Sequence, residues 1–309
     1  MSVVVFGSIN MDLVARSPRL PVPGETLTGY DFTAVPGGKG ANQAVAAARL
    51  GLPTQMVGRV GSDSFGRELL AHLNWAGVKR DRLYIDPSAH SGVAMIAVDD
   101  RAENHIIVVP GANGNVGEED IRRLRELLSS AKVLLLQLEI PMPAVVSAAQ
   151  VAREFGVKVI LDPAPVPTRL PEELYSLVDI LTPNRIEAGQ LVGFPVPNLE
   201  MAAEAALVLR DRGVETVIIK MGERGVLCMS SEERFVRPAF TVNAIDTVAA
   251  GDAFNGGLGA ALAEGRSLEQ AVIWGSAAGA IAVTRLGAQS AMPSRTELIQ
   301  FLEKWKYRI

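Results

Sequence analysis

The stretch Asp246-Thr247-Val248-Ala249-Ala250-Gly251-Asp252-Ala253-Phe254-Asn255 sets the terms for the rest of the chain. A carboxylate opens it, small and apolar residues with one glycine follow, and a second carboxylate stands where a helix begins. From Asp252 to Glu264 the chain is rich in Ala, Gly and Leu and is predicted to be helical. A glycine-bearing turn that feeds a helix leaves backbone N–H groups unpaired at the positive end of the helix dipole. Such a turn binds anions, phosphate above all. Asp252 at its mouth has two readings. It is a helix cap, a place Asp favours, or it takes a proton from whatever attacks the phosphate.

Upstream, strands and helices alternate. Val3–Phe6 is a β-branched run ended by Gly7, the pattern of a buried parallel strand. Further strands are predicted at Gln55–Val60, Val133–Leu138, Lys158–Leu161, Ile180–Thr182 and Thr216–Lys220. Helices are predicted between them, at Gly40–Leu50, Phe65–Trp75, Glu118–Ser129, Ala144–Glu154, Glu172–Leu177 and Leu199–Arg212. Two short strands around Val226 and Phe235 and helices at Leu268–Val283 and Ser294–Tyr307 complete the pattern. The alternation predicts one α/β domain over residues 1–309: a doubly wound, mainly parallel sheet with helices on both faces. Residues 13–36 and 90–112 break the alternation with extended, turn-rich sequence. Lacking helices to cover them, they are expected to form a small β-sheet lid, whose exposed edges suggest pairing with a second copy as a homodimer.

Composition narrows the function. The 309 residues carry a net charge of −4 without a long run of one sign, so nucleic acid and anionic membranes are not expected partners. The single cysteine, Cys228, excludes an internal disulfide. No apolar run approaches the roughly 18 residues of a membrane span and no basic leader opens the chain, so a cytoplasmic protein is expected. The three histidines, His72, His90 and His105, are scattered and suggest neither a metal site nor a triad.

Open α/β sheets gather ligands at the carboxyl ends of their strands. Asp12, Glu139, Asp162, Asn184 and Lys220 are all expected there. Asp162, followed by Pro163, reads as a turn former. Asn184-Arg185-Ile186-Glu187 has the spacing of a capping box, and cap and ligand site both stand as readings. Gly37-Gly38-Lys39-Gly40-Ala41-Asn42 is not a Walker loop, because Thr33 and Gly40 occupy the positions of its first Gly and its Ser or Thr. Its glycines still allow close backbone approach by a ligand. Lys39 and Asn42, with Asp12 and Glu139, supply donors and acceptors that suit a polyol, since each hydroxyl both gives and takes a hydrogen bond. A dinucleotide fold would need three glycines after the first strand, where Gly7-Ser8-Ile9-Asn10-Met11-Asp12 has one.

These segments together resemble the ribokinase-like (phosphofructokinase-B) family of sugar kinases. Asp-Thr-x-x-Ala-Gly-Asp-x-Phe at 246–254 is similar to its C-terminal signature, and Gly37–Ala44 to its N-terminal one. Gly7–Asp12, Gln137-Leu138-Glu139, Thr182-Pro183-Asn184 and Val283-Thr284-Arg285 follow the family's order. The resemblance implies transfer of the terminal phosphoryl of ATP to the 5-hydroxyl of ribose, or alternatively to another sugar or a nucleoside. It implies Asp252 as the base, with Ala249, Ala250 and Gly251 beside it and the N–H groups of Ala250, Gly251 and Asp252 as the anion hole. Asn10, Asp12, Gly38, Lys39, Asn42 and Glu139 would surround the sugar, with Glu139 near the anomeric end. Asn184, Glu187, Lys220, Gly222, Gly225, Gly251 and Ser276 would surround the nucleotide and its Mg²⁺. A potassium ion would sit at Asp246 and Val248 and at the main-chain oxygens of Ala282, Arg285 and Gly287. The serine that commonly completes that site aligns with Ala291, and Ser290 falls one residue early.

Overall fold

Val3, Val4, Val5 and Phe6 are completely buried, and successive side chains enter two apolar layers on opposite faces of one sheet. A strand buried on both sides has no polar face to show, which is why its sequence is a continuous apolar run. The computed structural model describes residues 2–101 and 103–307; the ends of the 1–309 span and Ala102 of the 90–112 stretch lie outside the described residues. The chain begins with β1 (Ser2–Phe6), β2 (Asn10–Arg16), β3 (Asp31–Gly37), α1 (Lys39–Arg49), β4 (Thr54–Gly61) and α2 (Ser64–Trp75). It continues through β5 (Lys79–Asp86), β6 (Gly92–Val98), β7 (Asn104–Val109), α3 (Glu118–Leu128), β8 (Ala131–Leu136) and α4 (Met142–Glu154). Then come β9 (Lys158–Leu161), α5 (Glu172–Leu177), β10 (Ile180–Leu181), α6 (Arg185–Val192), α7 (Leu199–Asp211) and β11 (Thr216–Lys220). Last are β12 (Val226–Met229), β13 (Arg234–Arg237), α8 (Ala250–Ala263), α9 (Leu268–Ala282) and α10 (Arg295–Lys304).

Nine strands form the large sheet in the order β13-β12-β11-β10-β9-β8-β1-β4-β5, parallel except where β12 and β13 turn back at one edge. From β1 the chain steps to β4 and β5 on one side and later returns to β8 on the other. The switch therefore falls between β1 and β8, the crevice in which such sheets bind ligands. One face packs against α1, α8, α9 and α10, the other against α3, α4, α6 and α7. No helix among the described residues is long and apolar enough to cross a membrane.

A separate four-stranded sheet, in the order β3-β2-β6-β7, is the lid. Its two antiparallel pairs join through a parallel contact of β2 with β6. It starts at Asn10, three residues before the predicted limit, so Asp12 lies on a lid strand rather than at the end of β1. Strand β5 was not predicted at all. Lys79-Arg80-Asp81-Arg82 reads as solvated loop, but a sheet edge tolerates charge because one rim faces water.

Helix α8 sits in the middle of its layer, and its glycines set how closely its neighbours come. A Cβ at Gly256 would lie 2.4 Å from Cβ of Ala46 and 2.9 Å from the carbonyl of Gln43, both on α1. One at Gly257 would meet Trp274 and Gly275 of α9, and one at Gly259 would meet Leu135 of β8. In an exposed helix Gly→Ala would gain up to about 1 kcal/mol. Here Gly256→Ala is expected to lose about 1–3 kcal/mol, because α1 and α8 must separate. Urea unfolding of the two proteins checks the sign, and an unchanged or raised midpoint would contradict the packing.

Candidate active site

The turn before α8 is built as an anion cradle. Ala249 adopts a left-handed conformation (φ 56°), a strained choice for a residue with a Cβ, and it swings the chain into the helix. The N–H groups of Ala249, Gly251 and Asp252 have no partner among the described residues. That of Ala250 donates to the carbonyl of Thr247 at 3.3 Å, so it does not join the free set the sequence predicted. The ammonium of Lys220 stands over this turn, 3.3 Å from where a Cβ of Gly251 would be. Amide dipoles, the helix end and a lysine thus converge on one point.

Asp252, in the first turn of α8, is 4 % exposed, and it is not a cap: its side chain takes no bond from the helix's own amides. Instead Oδ2 accepts from Nδ2 of Asn42 at 2.9 Å and Oδ1 from Nε2 of Gln43 at 3.1 Å, both on α1. Burial pushes its carboxyl up to about 6, with Asp162 adding to the rise and Lys39 and the two amides opposing it. A carboxylate so tuned is ionised at neutral pH yet basic enough to accept a proton.

Lys39 lies among Asp252, Asp162, Glu139 and Glu187. Burial alone would lower it, but those carboxylates together hold it above the ordinary lysine range. Glu139, just after β8, accepts from the backbone N–H of Lys39 at 3.2 Å and from the hydroxyl of Ser8, just after β1. The predicted sugar residues therefore meet across the β1–β8 crevice, with Asp12 reaching in from the lid. Burial, then Glu139 and Asp252, raise Asp12 to about 7. Gly38, at φ 86°, is pressed against this corner, where a Cβ would lie 2.7 Å from the backbone nitrogen of Asn10. Asn10 turns the other way, and its Oδ1 accepts from Asn113 at the foot of the lid. Asn42 keeps a buried Oδ1 without a partner among the described residues, an acceptor able to take a hydroxyl.

A cleft of about 750 Å³ runs outward from Asp252 and Lys39. Its inner end carries Asp162, Asn184, Glu187, Lys220 and Gly251, and Gly222 and Gly225 also line it. Asn184 caps α6, with Glu187 completing the capping box, and it also lines this cleft. Burial raises Glu187 against the pull of Lys220. Asp162 is more than the turn former its sequence suggested. It binds Nζ of Lys220 at 3.0 Å and Nε2 of Gln43 at 3.2 Å. The far end is apolar, walled by Val226, Phe240, Val242 and Ala280, with the hydroxyls of Thr241 and Ser276 among them. The Ser276 hydroxyl is buried and unpartnered. Phe240 is backed edge-on by Phe301, Trp305 and Tyr307 at 5.0, 5.4 and 5.7 Å. Phe240, Thr241 and Val242 lie in a loop and Val226 at a strand start, where sequence periodicity gives no signal, while Ser276 and Ala280 come from α9.

Two loops meet beside the cradle. Asp246 accepts from the N–H of Val248 at 3.0 Å and from that of Gly287 at 3.0 Å, joining them. The carbonyls of Val248, Arg285 and Gly287 take no hydrogen bond among the described residues, while that of Ala282 accepts from Arg285. The Ser290 hydroxyl bonds Leu286 at 3.2 Å and lies 2.6 Å from where a Cβ of Gly287 would be, so it borders the same loop. One carboxylate, free carbonyls and a nearby hydroxyl form a donor set that fits a monovalent cation. No group of three or more His, Cys, Asp or Glu suited to a metal exists among the described residues.

Comparison with known proteins matches this architecture closely. The model of the pfkB family of carbohydrate kinases matches residues 1–295. The chain is 43 % identical over 302 residues to the ribokinase of Haemophilus influenzae, covering 98 % of each. It is 36 % identical over 302 residues to a deoxyribokinase of Salmonella typhi, covering 98 % of this chain and 99 % of the other. Among solved structures it is similar to Arabidopsis thaliana ribokinase complexed with ribose and ATP, at 32 % identity and a TM-score of 0.91 over 98 % of both chains.

Proposed function

This chain belongs to the pfkB family of carbohydrate kinases, and from that premise we propose that it transfers the terminal phosphoryl of ATP to the 5-hydroxyl of D-ribose. The observation that carries the reading is Asp252: buried, both oxygens held by amides, and set between free backbone donors and two lysines. Phosphoryl transfer asks a protein mainly for positioning and charge stabilisation. Asp12, Asn42 and Glu139 orient the sugar so that the 5-hydroxyl faces Asp252, which removes its proton. The free N–H groups of Ala249, Gly251 and Asp252, with Lys39 and Lys220, hold the charge on the phosphoryl oxygens. Base and donors contribute on the order of 10²-fold or more each. Asn184 and Glu187 would face the waters of a Mg²⁺ ion carried by the nucleotide, which would supply neutralisation of phosphate charge. The lid excludes water that Asp252 would otherwise activate.

The deoxyribokinase among the relatives makes 2-deoxyribose the second reading. The unpartnered Oδ1 of Asn42 favours a sugar with its full set of ring hydroxyls. ADP release with ribose, 2-deoxyribose, hexoses and nucleosides is expected to give the highest kcat/KM for ribose, and a higher value for any nucleoside would overturn the assignment. Asp252→Asn should fold, yet lose about 10²-fold or more in kcat, with an acid limb near pH 6 in the wild type. Wild-type-like turnover in that variant would remove Asp252 as the base.

The loops around Asp246 support potassium activation, through ordering of the carbonyls next to the cradle and more weakly than with a complete ligand set, since Ala291 offers no hydroxyl. Initial rates should rise with KCl over NaCl at constant ionic strength and lose that rise in Asp246→Asn. Equal rates in both salts would exclude the site.

The lid supports a homodimer. All six residues of β7 are exposed, including the consecutive Ile106, Ile107, Val108 and Val109, and the strand's outer rim is unpaired. A second copy would cover such an edge. Sedimentation should show a dimer that Ile107→Glu converts to monomer, and a monomeric wild type would refute the pairing.

A further inference from the structure

A row of buried amides runs behind the proposed base. Gln137, at the end of β8, donates from Nε2 to Oε1 of Gln43 at 2.7 Å. That bond fixes which way the Gln43 amide faces. Its nitrogen then donates forward to two carboxylates at once, Oδ1 of Asp252 at 3.1 Å and Oδ2 of Asp162 at 3.2 Å. Asp162 completes the row through its other oxygen, bonded to Nζ of Lys220 at 3.0 Å. Gln43 is 1 % exposed and Gln137 wholly buried, so neither amide turns to water. Gly7 makes the row possible: a Cβ there would lie 1.9 Å from Oε1 of Gln137. The invariant demand of this geometry is that Gln43 present its nitrogen, because an oxygen turned toward two carboxylates would face only acceptors.

We propose that Gln43 is a positioning residue for phosphoryl transfer, holding the base Asp252 ionised and aimed while tying it through Asp162 to the lysine over the phosphate turn. Two like charges that share one amide can both stay ionised; without it, one of them is favoured to take up a proton. Asp252 is faced by Lys39 of α1, by Asp162 after β9 and by Asp12 of the lid. Lys220 is tied to it through Asp162, and Glu139 and Glu187 act on Lys39. None of these charged groups replaces the amide, since none donates a hydrogen bond to Asp252; Asn42 does so only at the other oxygen. Gln43 touches neither substrate in this scheme and acts only through the two carboxylates.

The inference rests on Asp252 as the proton acceptor, and the test separates the two. Profiles of kcat against pH, at saturating ATP and ribose so that free-enzyme titration of Asp12 does not enter, would be measured for the wild type, Gln43→Met and Gln137→Met. Methionine keeps the length of glutamine and removes the donor. Loss of one charge-assisted hydrogen bond should move the acid limb of Gln43→Met upward by about one pH unit. Gln137→Met, which leaves Gln43 in place but unpinned, should move it the same way by less. A fall in kcat with an unmoved limb in Gln43→Met would reduce Gln43 to packing and overturn the proposal. Should Gln43→Met fail to fold, Gln137→Met decides alone: a raised limb supports the row and an unmoved limb refutes it. Retained activity in Asp252→Asn would instead refute the base itself, whatever the glutamine variants do.

Discussion

The approach of α8 to α1 is the contact on which the rest depends. Because Gly256 admits the backbone of α1 at residues 43–47, the first turns of both helices arrive at one place. One brings Lys39, Asn42 and Gln43; the other brings Asp252 and its unpaired amides. Neither helix alone makes a site. A wider spacing by one methyl group would separate Asp252 from the amides that hold it. The concentration of glycine and alanine in both helices therefore reflects distance rather than flexibility.

That closeness creates an electrostatic problem and also solves it. Asp12, Asp162, Glu139, Glu187 and Asp252 would repel one another in a dry crevice. Lys39 and Lys220, with the amides of Asn42 and Gln43, compensate. Burial first, and the neighbouring carboxylates after it, displace Asp12 and Asp252 upward. Such displacement marks groups arranged for chemistry at the expense of stability, and it falls at the crevice where the sheet order switches.

Most of the fold was legible because its signals are local. Buried parallel strands are short apolar runs, and their helices end in glycine, as at Gly51 after α1. The charged edge strand β5 escaped because an edge needs no apolar pattern. The site was legible where family-like segments carried it: Asp252, Lys39, Asn42 and Glu139 converge as the resemblance implied. Asp162 was read as a turn former because Asp before Pro is common in turns, and nothing local announces a lysine 58 residues away. Gln43 lay inside a quoted segment without a role, since its meaning depends on Gln137, Asp162 and Asp252 together. The aromatic backing of Phe240 belongs to the same kind: pairings between distant residues that no window of sequence contains.

The bonds from Asn42 and Gln43 to Asp252 span 210 and 209 residues of chain. On the ribosome, the sugar-side half of the site is therefore synthesised long before the base and the phosphate turn. A nascent chain that has reached β13 already possesses Lys39, Asn42 and Glu139, but α1 has no α8 to pack on and leaves open the face that α8 will cover. Closure of so long a loop makes this a late event in folding. Until α8 emerges, the chain has neither the turn proposed to hold the terminal phosphate nor the carboxylate proposed as the base. Of the two helices that meet at Gly256, one is thus made long before its partner, and the face it keeps for that partner is the kind of apolar surface that makes a folding intermediate prone to aggregate.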